Sequence, residues 1–437
     1  MIGARTRSSL RTVGVLGLLL AALPVNATLT GAALLRGLAV PPRRDQAADA
    51  KTVLISGGKM TKALQLARSF HSAGHRVVLV ESEKYRLTGH RFSRAVDRFY
   101  VVPEPHDPGY TQALLDVVQR EGVDVYVPVC SPVASYHDAL AKEVLSRRCE
   151  VLHGDVDMIE AVDDKAHFVE LAASFGLGVP DSHRITSAAQ VTDFDFSARD
   201  VSYILKSIRY DPVGRLDLTR LPLDTAQQMR AFLAPKVISP ERPWILQAFE
   251  QGQEYCVHTT ARNGVVQVYC CCESSAFQIN YAMVDKPEIE AWVRLFVGEL
   301  KLTGQYSFDL IERPDGSIRA IECNPRTHSA ITMLYDHPDV ARAYLEDGVP
   351  VVTPLPSSRP TYWLYHELWR LLTHPSVGRV RTILQGKDAI FDWSDPLPFL
   401  MVHHLHIPAL LLDSLFAGRD WKRIDMNIGK LVEAAGD

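Results

Sequence analysis

Two neighbouring stretches carry the most informative pattern in the chain, Tyr306-Ser307-Phe308-Asp309-Leu310-Ile311 and Ala320-Ile321-Glu322-Cys323-Asn324-Pro325-Arg326. Pro314-Asp315-Gly316 lies between them and is a turn signal. Because side chains two apart share one face of a strand, Glu322 and Asn324 are expected to lie together. Hairpin pairing then brings Asp309 to the same face. The sequence predicts a β-hairpin with two carboxylates and an amide on one side.

The hairpin residues are candidate metal ligands. Mg2+ prefers a few carboxylate and amide oxygens together with phosphate oxygens, so Asp309, Glu322 and Asn324 fit a magnesium site. Arg326 falls on the same face if the strand continues, where its guanidinium can neutralise a phosphoryl group. The structural alternative is a solvated polar face, which the apolar neighbours of these residues disfavour.

Two upstream lysines are candidate phosphate ligands. Lys206 ends the apolar strand Tyr203-Ile204-Leu205, where a charge is costly unless it meets an anion. Lys165 begins a predicted helix, with Asp163 or Asp164 as its N-cap. Taken singly, each lysine is more often a surface residue than a phosphate ligand.

A third segment can hold a nucleoside. The strand Trp244-Ile245-Leu246-Gln247-Ala248-Phe249 is followed by Gln251-Gly252-Gln253-Glu254. A strand edge that offers backbone groups, then a glycine turn, then an acid suits adenine and ribose.

In this order, the set resembles the nucleotide site of the ATP-grasp superfamily. The 13-residue step from Asp309 to Glu322 and the motif Glu-x-Asn-Pro-Arg fit that family. The resemblance implies ATP and two Mg2+ ions, with Mn2+ as an expected substitute. It assigns the residues as follows: Lys165 and Lys206 to phosphates, Gln247, Ala248 and Phe249 to adenine, Glu254 to ribose, Asp309, Glu322 and Asn324 to magnesium, and Lys206 and Arg326 to catalysis.

The flap over the phosphates departs from the family. ATP-grasp proteins usually have a glycine-rich flap after the second lysine, whereas residues 207–215 contain one glycine and two arginines, Arg209 and Arg215. Either arginine is a candidate phosphate contact, and a structural loop is the alternative.

One branch of the superfamily is more similar still. Residues 56–70, 270–278 and 322–330 look like the ATP-grasp ligases of mycosporine biosynthesis, which join glycine to 4-deoxygadusol. The resemblance implies phosphorylation of an enol oxygen, followed by displacement of the phosphate by an amine. The candidate substrate residues are Gly57, Gly58, Arg209, Glu273 and His328. The consecutive cysteines Cys270, Cys271 and Cys272 are interpreted as packing.

Three alternatives stay open at the level of function. The first is an ATP-grasp ligase that activates a true carboxylate, such as that of an amino acid. The second is a nicotinamide oxidoreductase built on the Gly57-Gly58 turn, although Lys62 stands where the dinucleotide fingerprint needs a third glycine. The third is a nucleotide-binding membrane protein without catalytic activity.

The pattern of elements predicts α/β and α+β architecture. Strand and helix signals alternate from Lys51, which favours a doubly wound parallel sheet. The predicted parts are a hydrophobic segment and linker at 1–45, a Rossmann-like domain at 51–158, a two-lobed ATP-grasp domain at 159–348, and a C-terminal helical extension at 349–437. For Leu397 to Phe416, burial against the other domains is favoured over contact with a membrane.

Composition narrows the partners. A net charge of -4 gives no basic footprint for nucleic acid, so small-molecule substrates are expected, and a homodimer is compatible with the sequence. The seven cysteines include no C-x-x-C pair, which fits a reducing compartment. Thr12 to Leu35 carries no charge and reads as a membrane anchor, a disposable leader or a secretion signal. An anchor with catalytic domains in the cytoplasm is the preferred interpretation.

Overall fold

The computed structural model describes residues 2–42, 44–129, 131, 133–198, 201–209, 214, 217–274 and 280–433. It begins with one long helix, α1 (Ile2–Ala39), which contains Pro24. Two helical stretches in the described part, Ser8–Ala39 and Leu397–Phe416, are long and apolar enough to cross a membrane. Length and composition alone are weak support for a span, because buried core helices and signal sequences share both.

The first domain is a parallel sheet covered by helices. Its elements are β1 (Thr52–Ile55), α2 (Thr61–Ser72), β2 (Arg76–Ser82), β3 (Arg98–Val102), α3 (Tyr110–Glu121), β4 (Val125–Val127), α4 (Ala134–Leu145) and β5 (Glu150–Val151). The strand order is β3-β2-β1-β4-β5, and every neighbouring pair is parallel. The doubly wound architecture is confirmed. The sequence analysis missed β3 and β5, since β3 is a partly exposed edge strand and β5 has two residues.

A small lobe follows, with a hydrophobic core of its own. Two helices precede it in the chain, α5 (Val156–Asp163) and α6 (Lys165–Ser174), and they pack in the core of the large lobe that follows. The small lobe itself contains β6 (Ser182–Ile185), α7 (Ala188–Thr192), β7 (Tyr203–Ser207), α8 (Ala226–Leu233) and β8 (Trp244–Ala248). The antiparallel sheet has the order β6-β8-β7, and its core includes Tyr203, Leu205 and Leu246.

The large lobe is built on one four-stranded antiparallel sheet. It contains β9 (Gln253–Arg262), β10 (Val265–Glu273), β11 (Asn280–Tyr281), α9 (Pro287–Glu299), β12 (Gly304–Glu312) and β13 (Ile318–Asn324), and the sheet has the order β10-β9-β12-β13. A turn at Asn263-Gly264 joins β9 to β10, and both residues have positive φ (51° and 81°), as a tight hairpin turn requires.

The C-terminal part folds back over the first domain. It contains α10 (Val340–Leu345), β14 (Thr361–Tyr362), α11 (Leu364–Thr373), α12 (Val377–Gln385), β15 (Lys387–Asp388), α13 (Leu397–Met401), a π-helical turn (Val402–His406), α14 (Ile407–Phe416), β16 (Trp421–Asp425) and β17 (Lys430–Glu433). Arg68 donates to Asp395 at 2.9 Å, and Trp363 Nε1 donates to Thr61 Oγ1 at 3.1 Å. Helices dominate this part, as predicted.

The predicted domain boundaries stay predictions, and a strand pairing crosses one of them. β11, from the predicted ATP-grasp segment, pairs with β14 of the C-terminal part, and β14 in turn pairs with β15. The C-terminal residues therefore complete a sheet that begins beside the large lobe.

Candidate active site

Two carboxylates face each other at the centre of the site. β12 and β13 pair so that Asp309 lies directly opposite Glu322, and a β-bulge follows immediately. The two groups share a hydrogen bond, with Asp309 as the donor. Burial, then the neighbouring Glu322, raises the pKa of Asp309 well above its usual range. Two carboxylates held together in this way leave one proton between them, which a cation can replace.

Both predicted phosphate lysines point at this pair. Lys165 Nζ lies 3.4 Å from a carboxylate oxygen of Glu322, and Lys206 interacts electrostatically with Glu322 and Asp309. Burial alone would raise the pKa of Glu322, but the two lysines and hydrogen bonds from Asp309 and Asn324 hold it below its usual range. Burial also lowers the pKa of Lys206. The two lysines therefore lie where they would interact with a phosphate as well as with the carboxylates.

Local structure explains how each lysine reaches the site. Asp164 caps α6 by accepting from the backbone N–H groups of Ala166 and His167, which places Lys165 at the first helical position. Lys206 is held by Gln247, whose Oε1 accepts from Nζ at 3.2 Å. The predicted cap is therefore Asp164 rather than Asp163.

Asn324 and Arg326 extend the polar edge beyond the carboxylates. Asn324 Nδ2 donates to Glu322 at 3.2 Å, and Asn324 Oδ1 accepts from Arg326. Arg326 also lies 3.9 Å from Asp163, whose pKa is raised by burial although Arg326 opposes that shift. The guanidinium is thus fixed at the rim of the carboxylate pair.

This donor set fits Mg2+ bound together with phosphate. Among the described residues there is no group of three or more His, Cys, Asp and Glu side chains placed to hold a metal ion. Magnesium does not need such a group, because it is commonly held by one or two carboxylates, waters and phosphate oxygens. Asp309 and Glu322 supply the carboxylates and Asn324 supplies an amide oxygen, so the fit depends on a nucleotide for the remaining ligands.

The predicted adenine segment forms the end of β8. The backbone N–H of Ala248 donates to Asp181 at 2.8 Å, and that of Phe249 donates to Ser202 at 2.7 Å. Gln247 is buried, and its side chain contacts Lys206 and Ser182. The protein itself therefore uses the backbone N–H groups of Ala248 and Phe249.

Glu254 reaches the same site from β9. The pairing Ile311–Glu254 and Asp309–Cys256 puts Glu254 on the face of the sheet that carries Asp309. Ser274 Oγ donates to Glu254 at 2.9 Å, and Glu254 acts electrostatically on Lys206. The structure thus brings together the predicted metal, phosphate and ribose residues.

A polar wall that the sequence analysis missed adjoins Arg326. His258 Nδ1 accepts from the backbone N–H of His328 at 3.2 Å, and Tyr281 packs edge-on against His328 at 5.4 Å between ring centroids. Lys62 donates to the carbonyl of Thr327. Burial, then His328 and Lys62, keeps the pKa of His258 well below its usual range, so the ring is neutral.

A sequence signal for two of these residues exists in hindsight. His258 alternates with Glu254 and Cys256 along β9, so strand periodicity places all three on one face. Lys62 occupies the helical position where a third fingerprint glycine was missing. His328, a predicted substrate residue, lies within this wall, and Tyr281 comes from a strand too short to recognise.

The Gly57-Gly58 turn lies in the first domain, where its backbone contacts other protein groups. Gly57 has φ +68°, and a Cβ there would lie 2.3 Å from the carbonyl oxygen of Val129. The N–H groups of Gly58 and Lys59 donate to Val80 and Glu81, at 3.1 and 2.8 Å. Since protein groups use these amides, the turn is poorly suited to a pyrophosphate. That weighs against a nicotinamide cofactor and gives the two glycines a packing role.

Two other predicted substrate residues are exposed. Glu273 is exposed at the end of β10, and its pairing with Tyr255 puts it on the opposite face from Cys272 and Asp309. Arg209 is exposed beyond β7. Flap residues 210–213 and Arg215, and residues 275–278 of the 270–278 motif, lie outside the described residues.

The cysteine triplet is buried in the large lobe. Cys270 and Cys272 belong to the core shared with the first domain, whereas Cys271 packs in the core behind the sheet. Burial raises the pKa of Cys271 to about 12 and that of Cys270 even further. Thiols protonated to this degree are poor nucleophiles, which agrees with the predicted packing role.

Comparison with solved structures identifies the architecture. An ADP complex of N5-carboxyaminoimidazole ribonucleotide synthetase is 16% identical with a TM-score of 0.54, over 72% of this chain and 81% of that one. The biotin carboxylase domain of a single-chain bacterial carboxylase is 15% identical with a TM-score of 0.53, over 70% and 71%. A Hydrogenobacter thermophilus 2-oxoglutarate carboxylase domain, crystallised with MgADP, ADP and bicarbonate, is 13% identical with a TM-score of 0.51, over 64% and 65%.

These likenesses confirm the predicted fold, a parallel-sheet domain followed by an ATP-grasp domain. No protein-family model matches the chain, and no curated protein matches it. At these identities the similarity defines the fold, and activity must be argued from the site.

Proposed function

We propose that this chain is an ATP- and Mg2+-dependent ligase that forms a carbon–nitrogen bond. The observation that carries the proposal is the Asp309–Glu322 pair with Lys165 and Lys206 directed at it. Carboxylates for a divalent cation and lysines for phosphates are the parts that phosphoryl transfer requires. When bound, magnesium would neutralise charge on the transferred phosphoryl group.

The protein's contribution is position and charge. Lys165 and Lys206 are placed to hold phosphate oxygens, and Arg326 at the rim is placed to stabilise negative charge on the phosphoryl group as it moves. The acceptor oxygen attacks the γ-phosphorus of ATP and ADP leaves. An amine then adds to the activated carbon and expels inorganic phosphate. No covalent link to the protein is needed.

For the acceptor we propose an enolised 1,3-dicarbonyl of the 4-deoxygadusol type, with glycine as the amine and mycosporine-glycine as the product. Support comes from the resemblance of residues 56–70 and 322–330 to the mycosporine ligases. His328 is half-buried in the polar wall beside Arg326, where its ring is placed to meet a small oxygen-rich molecule. The catalytic domains are proposed to act in the cytoplasm, where ATP is available.

A carboxylate acceptor is the second candidate. The fold likeness to carboxylases and to N5-carboxyaminoimidazole ribonucleotide synthetase favours it, since one relative was crystallised with bicarbonate. Both candidates share the nucleotide chemistry and differ in the acceptor.

The test is a coupled assay on the full-length protein in mild detergent, with ATP, Mg2+, glycine and 4-deoxygadusol. ADP and ultraviolet absorbance are followed together. ADP released in step with a red-shifted enaminone chromophore is the expected result. ADP release only with amino acids or other carboxylates would transfer the assignment to the second candidate.

A matched variant pair controls the assay. Glu322→Gln keeps the shape of the side chain and should lower ADP release by at least about a hundredfold. Glu273→Gln is the same change on the exposed, opposite face of the sheet and should leave the rate unchanged. Full activity of Glu322→Gln would remove the ATP-grasp assignment.

A further inference from the structure

Helix α1 has two unlike sides. Its buried residues recur at intervals of seven, at Thr12, Leu19, Asn26 and Ala33, with Thr30 between the last two. Such spacing produces one straight stripe along a helix. The stripe packs on α13, the π-helical turn and α14 of the C-terminal part. The helix is thus attached to the folded body along most of its length.

Polar groups make the attachment specific. Asn26 Nδ2 donates to the hydroxyl of Tyr365 at 2.6 Å and lies 2.8 Å from Nε2 of His404. Thr12 Oγ1 accepts from Trp421 Nε1 at 2.9 Å. The guanidinium of Arg11 stacks over the Trp421 ring at 3.8 Å. A disposable leader would not be expected to supply partners to buried groups of the body.

The outer side of α1 is aliphatic. Eight large apolar side chains are exposed, by 47% at Leu34 to 81% at Leu38. They are Leu10, Val13, Leu18, Leu20, Val25, Leu34, Leu35 and Leu38. No charged residue occurs between Arg11 and Arg36.

This polarity is the reverse of that of a surface helix in water. An amphipathic helix normally buries its apolar stripe and turns polar residues to solvent. In α1 three of the five buried residues, Thr12, Asn26 and Thr30, are polar, while the large apolar side chains, leucines and valines, are mostly exposed. A continuous exposed apolar surface of this kind marks an interaction site. In a hydrocarbon environment the stable arrangement has aliphatic side chains facing outward and polar side chains facing the protein.

A second apolar element begins where α1 is attached. Tyr365, the partner of Asn26, lies in the first turn of α11. The hairpin of α11 and α12 exposes Trp369, Leu372, Val377 and Leu384, and α12 has no buried residue. Arg381 is exposed on α12 beside these side chains, as a cation at an anionic lipid headgroup would be.

We infer that the outer stripe of α1 is a docking surface for an anionic phospholipid bilayer, on which the helix lies in the plane of the interface. A helix of 38 residues is about 57 Å long, well beyond the roughly 30 Å of a hydrocarbon core. Crossing the bilayer would require the buried stripe to leave its partners, or the charged body to enter lipid. Lying on the surface requires neither change. The α11–α12 hairpin forms a second contact.

The first test is flotation of the full-length protein with vesicles of phosphatidylglycerol and phosphatidylcholine in equal parts. The parent protein should float with the vesicles. The double variant Leu20→Glu, Leu35→Glu should lose at least about tenfold in binding, because two exposed leucines no longer enter lipid. The matched control is Val237→Glu, Val265→Glu, which alters two exposed valines on the catalytic lobes and should bind like the parent.

Folding and self-association are checked on the same samples. Both double variants should keep the thermal unfolding midpoint of the parent, since all four positions are exposed. Failure of the parent to float, or equal loss in both variants, would overturn the inference. So would a parent that runs as a dimer without vesicles and ignores lipid, because the stripe would then be covered by a second copy.

The second test separates lying from crossing. Ser9→Cys and Gln46→Cys place a thiol near the first turn of α1 and just beyond its last turn, at exposed positions that are not among the eight apolar side chains of the outer stripe. A maleimide that cannot cross membranes is added outside the loaded vesicles, with the parent protein as background. Labelling at both ends is expected. Protection of one end alone would show a span and contradict the inference.

Discussion

The two faces of the β10-β9-β12-β13 sheet differ sharply. One face carries the carboxyl groups of Asp309, Glu322 and Glu254, whose mutual repulsion must be offset by cations. On the other, Phe308 packs against Phe296 and Trp292, at 5.6 and 5.8 Å between ring centroids. Phe308 and Asp309 are adjacent in the chain, so one strand carries stability on one side and chemistry on the other. Changes at adjacent positions should therefore damage different properties.

The largest expected effect is on turnover. Asp309→Asn removes a predicted metal ligand and one acidic proton, and should lower the rate of ADP release by about ten-thousandfold. The amide fits the same space, so the unfolding midpoint should stay at or above that of the parent. A variant that is inactive because it is unfolded would contradict the division between the faces.

At the preceding residue, Phe308, we expect a loss of stability with little loss of activity. Phe308→Ala leaves a cavity among fully buried aromatic rings and should lower the free energy of unfolding by about 3–5 kcal/mol. The rate per folded molecule should be close to that of the parent. Urea unfolding together with active-site titration measures both quantities. Val265→Ala, at an exposed position of the same sheet, is the control and should cost less than about 0.5 kcal/mol.

The smallest expected effect is on the pH dependence of nucleotide binding at the charged face. Because the pKa of Asp309 is raised in the metal-free protein, magnesium must displace a proton there. Affinity for MgADP should therefore be weakest at low pH and rise as pH passes through that pKa, by up to about tenfold per pH unit. Calorimetry in two buffers of different ionisation enthalpy should detect proton release by the parent and none by Asp309→Asn.

Local chemistry made the hairpin predictable. The strand pattern around Asp309 and Glu322, the turn between them and the cap at Asp164 each depend on residues close in sequence. The same holds for the parallel sheet, whose buried strands are continuous apolar runs. The ATP-grasp prediction came from the resemblance of these local signals, in their order along the chain, to that superfamily.

Contacts between residues far apart in the sequence could not be predicted from local patterns. Lys62 and His258 are separated by almost two hundred positions, and no local pattern shows that both lie near Thr327 and His328. Similarly, the heptad spacing of α1 could be read only once its partners were known, because a helix without charge looks the same whichever side is buried. Glu273 was misleading for a related reason, since one residue of strand register decides which face it joins.

The contacts between the domains indicate which part of the protein would move to admit substrates. The first domain is bound to the large lobe through Ser135 to the carbonyl of Pro325 at 2.7 Å and Gln305 to that of Pro128 at 2.9 Å. The small lobe instead has a separate hydrophobic core and carries Lys206. A hinge is therefore best placed at the small lobe, which would swing aside to admit ATP and release ADP. In such a molecule the speed of that swing, rather than the bond-making step, can set the pace of each catalytic cycle.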